Sequence, residues 1–143
     1  VTIRGIAFGA LAVLLGSGTQ ALAQSDVRLG TAVFVERSSE NARILEPATR
    51  LSPGDRVVTV LSWHRDAPSG RFMLTNPLPR SIYYQGSASG DEQVSADGGR
   101  TWGRLGSLRI GSRLVTPEDV THVRWQIAAN APSGTIAYSA IVR

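Results

Sequence analysis

The stretch LTNPLPRSIYYQGSASGDEQVSADGGRTW, Leu74–Trp102, decides how this chain is read. It opens on a proline-bounded corner, Asn76-Pro77-Leu78-Pro79, and passes into a short aromatic strand, Ile82-Tyr83-Tyr84. A loop rich in Ser, Gly and Asp follows. The stretch then closes on a hairpin turn, Asp97-Gly98-Gly99, pinned by Trp102. Prolines interrupt ladder pairing, aromatic side chains suit a pleated surface, and Gly and Asp supply tight turns. The stretch predicts β-structure and carries no pattern that belongs to catalysis.

Upstream, Ser52-Pro53-Gly54-Asp55 has the chemistry of a turn, because proline presets φ at its second position and glycine supplies a positive φ at its third. It leads into Arg56 to His64 (RVVTVLSWH), which carries Val57, Leu61 and Trp63 on one face and Val58 and Val60 on the other. Apolar residues on both faces predict a central strand. Leu29 to Glu36 reads as a first strand, Arg37 to Asn41 as a polar connection, and Arg43 to Glu46 as a short second strand stopped by Pro47. Asp66 to Gly70 turns the chain into a strand at Arg71 to Thr75.

Downstream, Gly103 to Arg113 is punctuated by glycine. Thr116-Pro117-Glu118-Asp119 carries a helix-start signal too short for more than a 3₁₀ turn. Thr121 to Ala129 alternates Val123, Trp125 and Ile127 against His122, Arg124 and Gln126. The turn Ala131 to Gly134 leads to a last strand, Thr135 to Val142, after which no anchor or second domain is expected. Seven or eight short strands with no sustained helical period predict an all-β chain, an antiparallel β-sandwich.

The N-terminus reads differently. Arg4, an apolar run from Ile6 to Leu15, and Ala21-Leu22-Ala23 have the anatomy of a secretory signal peptide, residues 1–23, cleaved before Gln24. The apolar run is short for a bilayer span, so no transmembrane segment is expected in the mature chain. A single domain over residues 24–143 follows, exported to the periplasm or beyond the cell. The chain has no cysteine, which excludes disulfides, a lipid-modified cysteine and thiolate metal sites.

The formal net charge is +4, and every basic residue apart from histidine is arginine. Arg28, Arg37, Arg43, Arg50, Arg56, Arg65 and Arg71 are evenly spaced along the chain. A nucleic-acid binder gathers its cations, so these read as solvated surface and no nucleic-acid partner is expected.

Several of these residues also resemble a known family. Leu51 to Asp55 leading into the Val57 to Trp63 strand, Phe72 to Pro79, Tyr83-Tyr84 with Gly86-Ser87-Ala88, and the closing hairpin from Val123 to Thr135 together resemble the bacterial domain of unknown function number eleven. That family consists of Ig-like modules of surface and secreted proteins. Asn76 stands where the family carries an acid, and Pro77 is additional. The resemblance implies an Ig-like sandwich and a non-catalytic role at the cell envelope.

Ser95-Ala96-Asp97-Gly98-Gly99-Arg100-Thr101-Trp102 matches the Asp-box pattern Ser-x-Asp-x-Gly-x-Thr-Trp. Its physics is local: Ser95 and Asp97 bond turn amides, Gly99 takes a positive φ, and Trp102 packs beneath. Asp-boxes recur in sialidase-like propellers, but one copy cannot build a propeller, so Ser95, Asp97, Gly99 and Trp102 are expected to form a structural turn. His64 and His122 are the only histidines and lie in no ligand spacing. No metal, cofactor or catalytic residue is expected, and the chain does not read as an enzyme. Asp91-Glu92 and Glu118-Asp119 read as solvated loop charge, with a calcium site the alternative.

Tyr83 and Tyr84 form a candidate contact surface, although neighbours in a strand point to opposite faces, so one belongs to the core. Trp63 and Trp125 are expected in the core. The expected function is structural or binding, with an envelope protein or a glycan as partner. The alternatives are a carbohydrate-binding module using surface aromatics, or a pilus-like subunit pairing through an edge strand.

Overall fold

The computed structural model describes residues 27–67 and 70–143. The signal-peptide reading of residues 1–23, and part of the turn from Asp66 to Gly70, lie outside the described residues.

Ten strands, all paired antiparallel, and one 3₁₀ turn make up the described chain. They are β1 (Val27–Ser39), β2 (Ala42–Pro47), β3 (Arg56–Arg65), β4 (Phe72–Pro77), β5 (Ile82–Ser87), β6 (Gln93–Ser95), β7 (Arg109–Ile110), β8 (Arg113–Leu114), the 3₁₀ turn Pro117–Asp119, β9 (His122–Ile127) and β10 (Ser133–Val142). Five strands form one sheet in the order β2-β1-β3-β10-β5, and three form a second in the order β4-β9-β6. The pair β7-β8 stands apart as a small hairpin.

The alternation of β3 and β9 explains how the two sheets meet. Val57, Leu61 and Trp63 of β3 are buried, as are Val123, Trp125 and Ile127 of β9. Tyr84 of β5 and Tyr138 and Ala140 of β10 join them from the first sheet, and Leu74 of β4 and Val94 of β6 from the second. The Trp125 and Tyr138 rings stack across the core with centroids 6.1 Å apart, and Trp63 meets Phe72 edge-on at 6.3 Å. Burying each large apolar side chain contributes about 1.5–3 kcal/mol. With no disulfide available, this shared core is the main source of stability.

Three connections fasten the fold. The turn at Ser52 to Asp55 closes with Asp55 N–H donating to the Ser52 carbonyl at 3.0 Å, and Gly54 takes φ +90°. Gly54 N–H donates to Val142 O and Val142 N–H to Asp55 O, so the turn is fastened to the end of β10. The proline corner carries the chain from β4 in one sheet to β5 in the other. There the Asn76 amide donates to the Tyr138 hydroxyl at 2.9 Å, and Leu78 N–H donates to Thr121 O at 2.8 Å.

Arg65 provides the third connection. It is 3% exposed, and its guanidinium donates to the carbonyls of Gly70, Ala128, Ala129 and Ala131 at 2.8–3.1 Å, with its carbon 4.9 Å from the Phe72 ring centroid. A buried cation is tolerated only when its donors are satisfied, and here the carbonyls of the β9–β10 turn and of Gly70 satisfy them. The sequence reading of Arg65 as solvated surface is therefore corrected.

Several boundaries differ from expectation. β1 continues through Ser39, so the expected polar connection shrinks to Glu40 and Asn41. Polar residues sustain this arm because it is solvated, with every residue of β2 exposed. Gln93–Ser95, expected as loop, pairs with β9, and the glycine-punctuated segment holds the β7-β8 hairpin about Gly111. Pro77 is accommodated because β4 is an edge strand, where an N–H is dispensable. Pro117–Asp119 forms the single 3₁₀ turn.

Candidate functional site

The Asp-box-like turn folds over the outer face of the β4-β9-β6 sheet. Ser95 ends β6 and is 0% exposed. Its hydroxyl donates to Asp97 Oδ1 at 2.8 Å and accepts from Gly99 N–H at 2.9 Å. Asp97 Oδ1 also accepts the N–H groups of Thr101 at 2.8 Å and Arg100 at 3.1 Å. These bonds, Thr101 foremost, hold the Asp97 carboxyl well below the usual carboxylate range. Gly98 and Gly99 take φ of +76° and +88°, which side chains with a Cβ rarely adopt.

The turn ends on Trp102, whose indole N–H donates to Gly99 O at 2.8 Å. The ring is half-buried, edge-on to His122, and carries the Arg124 guanidinium 4.1 Å from its centroid. Arg124 projects from the outer face of β9, directly across from Gln93 of β6. Its Nε and Nη2 both donate to Gln93 Oε1, at 3.0 and 2.7 Å. Stacking and the paired bonds fix a long, otherwise mobile side chain in one pose.

Beside this pair lie two hollows. One, of about 160 Å³, is lined by Met73, Asp91, Gln93, Arg104, Arg124 and Gln126. The other, of about 370 Å³, is lined by Arg71, Asp91, Gln126 and Ala128. They share Asp91 and Gln126 and so form one groove. Sequence spacing gave no sign of it, since Arg71, Arg104 and Arg124 come from three separate segments. The outward positions Arg124 and Gln126 of β9 were legible. What faces them was not.

Tyr83 and Tyr84 do not form a joint surface. Tyr84 is 1% exposed, and its hydroxyl donates to Glu92 Oε1 at 2.6 Å. Burial, reinforced by Glu92, raises its phenol far above the ordinary value. Tyr83 lies on the opposite face, half-buried, with the Arg143 guanidinium carbon 5.8 Å from its ring centroid. The aromatic platform is thereby reduced to one partly covered ring, because Tyr84 completes the core.

The remaining polar candidates are engaged elsewhere. His64 Nε2 lies 3.1 Å from Asp66 Oδ1, and Asp66 also receives Arg28. Asp119 is held by Arg113 and by the N–H and hydroxyl of Thr116, which together keep its carboxyl well below the usual range. Among the described residues no three His, Asp or Glu side chains converge in a metal-binding arrangement. Among the same residues no helix is long and apolar enough to cross a membrane.

No family model matches the chain, and no curated protein or solved structure matches it either.

Proposed function

We propose that the chain is an exported, non-catalytic Ig-like module with a structural or binding role at the cell envelope. The observation that carries this reading is the part played by the residues of the family resemblance. The Pro-Gly-Asp turn is stitched to the final strand, and the Asn-Pro-Leu-Pro corner carries the chain between two antiparallel sheets that share one core. His64, Asp97 and Asp119 are engaged in a surface ion pair, a turn and a cap, and Glu92 accepts the hydroxyl of the core residue Tyr84. The leader-like N-terminus favours export, and without cysteine an exported domain would hold together on its apolar core alone. Fractionation of producing cells tests the reading. Recovery in the periplasm, envelope or medium is expected, and recovery wholly in the cytoplasm would overturn it.

A second reading rests on the β1-β2 arm. Leu29, Val33, Ile44 and Leu45 are 38–62% exposed, and β2 leaves one edge unpaired. Pairing of β2 with the same strand of a second copy would satisfy that edge and extend the sheet across the two copies. Size measured across a concentration series tests it: a dimer lost on Leu45→Lys supports pairing, and a monomer at every concentration removes it.

A further inference from the structure

We propose that the outer face of the β4-β9-β6 sheet binds an anionic polysaccharide. Arg71, Arg104 and Arg124 would hold its acidic groups, and Asp91, Gln93 and Gln126 its hydroxyls. This goes beyond the function proposed above, which names no ligand and does not depend on this face.

The charge is the first argument. Elsewhere on the surface Arg28, Arg37, Arg43 and Arg113 each pair with a carboxylate, while Arg50, Arg56, Arg80 and Arg100 stand unpaired among the described residues but line neither hollow. In the groove Arg71 is exposed with no ion pair or hydrogen bond among the described residues, and Arg104 makes one long bond, 3.3 Å, to Gly90 O. Three arginines and a single carboxylate, Asp91, therefore line the two hollows. A surface region with an excess of one sign of charge concentrates ligands of the other.

Arg124 supplies the second. Its stacking on Trp102 and its bonds to Gln93 hold the guanidinium fork beside the hollow, and Nη1 makes no hydrogen bond among the described residues. An anion meeting a prearranged fork avoids much of the entropy cost of ordering it, and guanidinium matches the paired oxygens of carboxylate or sulfate.

The mixed lining points to a sugar chain rather than a nucleic acid. Asp91 would repel a phosphate backbone, whereas a sugar hydroxyl can donate to it, and the amides of Gln93 and Gln126 can both give and take hydrogen bonds. The ring nearest the groove, Trp102, carries Arg124 on its face, which leaves no free platform there for base stacking. The three strands span roughly 10 Å across their hydrogen bonds, room for a short run of sugar units.

The test uses the full chain and titration calorimetry against polygalacturonate, heparin, dextran and single-stranded DNA. Binding to polygalacturonate or heparin but not dextran is expected, weakening as salt is raised. Stronger binding to polygalacturonate assigns carboxylate as the recognised group, and stronger binding to heparin assigns sulfate. The Arg71→Gln, Arg104→Gln double variant changes exposed residues, and should lose affinity on the order of tenfold, the scale of one charge-assisted bond. An equally charged control, Arg56→Gln with Arg80→Gln, should retain it. Absence of binding to both acidic polymers, equal losses in the two double variants, or equal affinity for DNA would overturn the proposal. None of these outcomes bears on export, which fractionation decides separately.

Discussion

The guanidinium of Arg124 lies 4.1 Å from the centre of the Trp102 ring, and this contact joins the Asp-box-like turn to the outer face of the second sheet. The turn is thus more than a hairpin closure, because it fixes the head of the arginine-lined groove. Trp102→Leu removes both the cation–π contact and the indole bond to Gly99 O. We expect a loss of about 1–3 kcal/mol in urea unfolding. A change below a few tenths would mean that the turn is held by Ser95 and Asp97 alone.

Arg65 is predicted to be irreplaceable by lysine. Its forked donors reach four carbonyls in the β3–β4 and β9–β10 connections, and an ammonium group cannot span that set. Arg65→Lys and Arg65→Met should each cost about 1–3 kcal/mol, because bonds between the buried side chain and two turns are lost. Similar stability of wild type and Arg65→Lys would show that charge rather than geometry matters.

Gly134 has no room for a side chain. A Cβ built there would lie 2.3 Å from Cζ2 of Trp63, a ring held in the core. Gly134→Ala should destabilise by about 1–3 kcal/mol or more through overpacking. Combining it with Trp63→Leu removes the clash, so the two losses should be clearly less than additive. Strict additivity would place the strain elsewhere.

Stability should fall at both ends of the pH scale. Asp97 and Asp119 have carboxyls depressed by hydrogen bonds and by Arg113, so they contribute stability above the unfolded value of about 3.9 and lose it as pH falls below. Tyr84 and Tyr138 are shifted the other way by burial. Their contribution is complete below the unfolded value of about 10 and is lost as pH rises through the folded values. In an alkaline absorbance titration, two of the three tyrosines should ionise only as the fold is lost. Free titration of all three in a folded chain would contradict this.

The sequence disclosed what periodicity and turn chemistry encode. β3, β9 and β10 were legible because an apolar face repeats every second residue, and Pro53 and Gly54 marked the turn before β3. β6 was hidden because Gln93, Val94 and Ser95 are too few to show a period and take their partner from β9, distant in sequence. The length of β1 was hidden because Arg37, Ser38 and Ser39 pair in a solvated arm, where nothing apolar is required. Arg65 looked like any other arginine until the turns it bridges were in place. The groove was illegible for the same reason: strand pairing, not spacing, brings Arg71, Arg104 and Arg124 to one face.

The most direct test of the proposed function is the intact mass of the protein recovered from outside the cytoplasm of a producing cell. A chain beginning at Gln24, with its arginine-rich surface otherwise unmodified, is the predicted result. Protein that retains residues 1–23 and remains in the cytoplasm would contradict export, and with it the role proposed at the envelope.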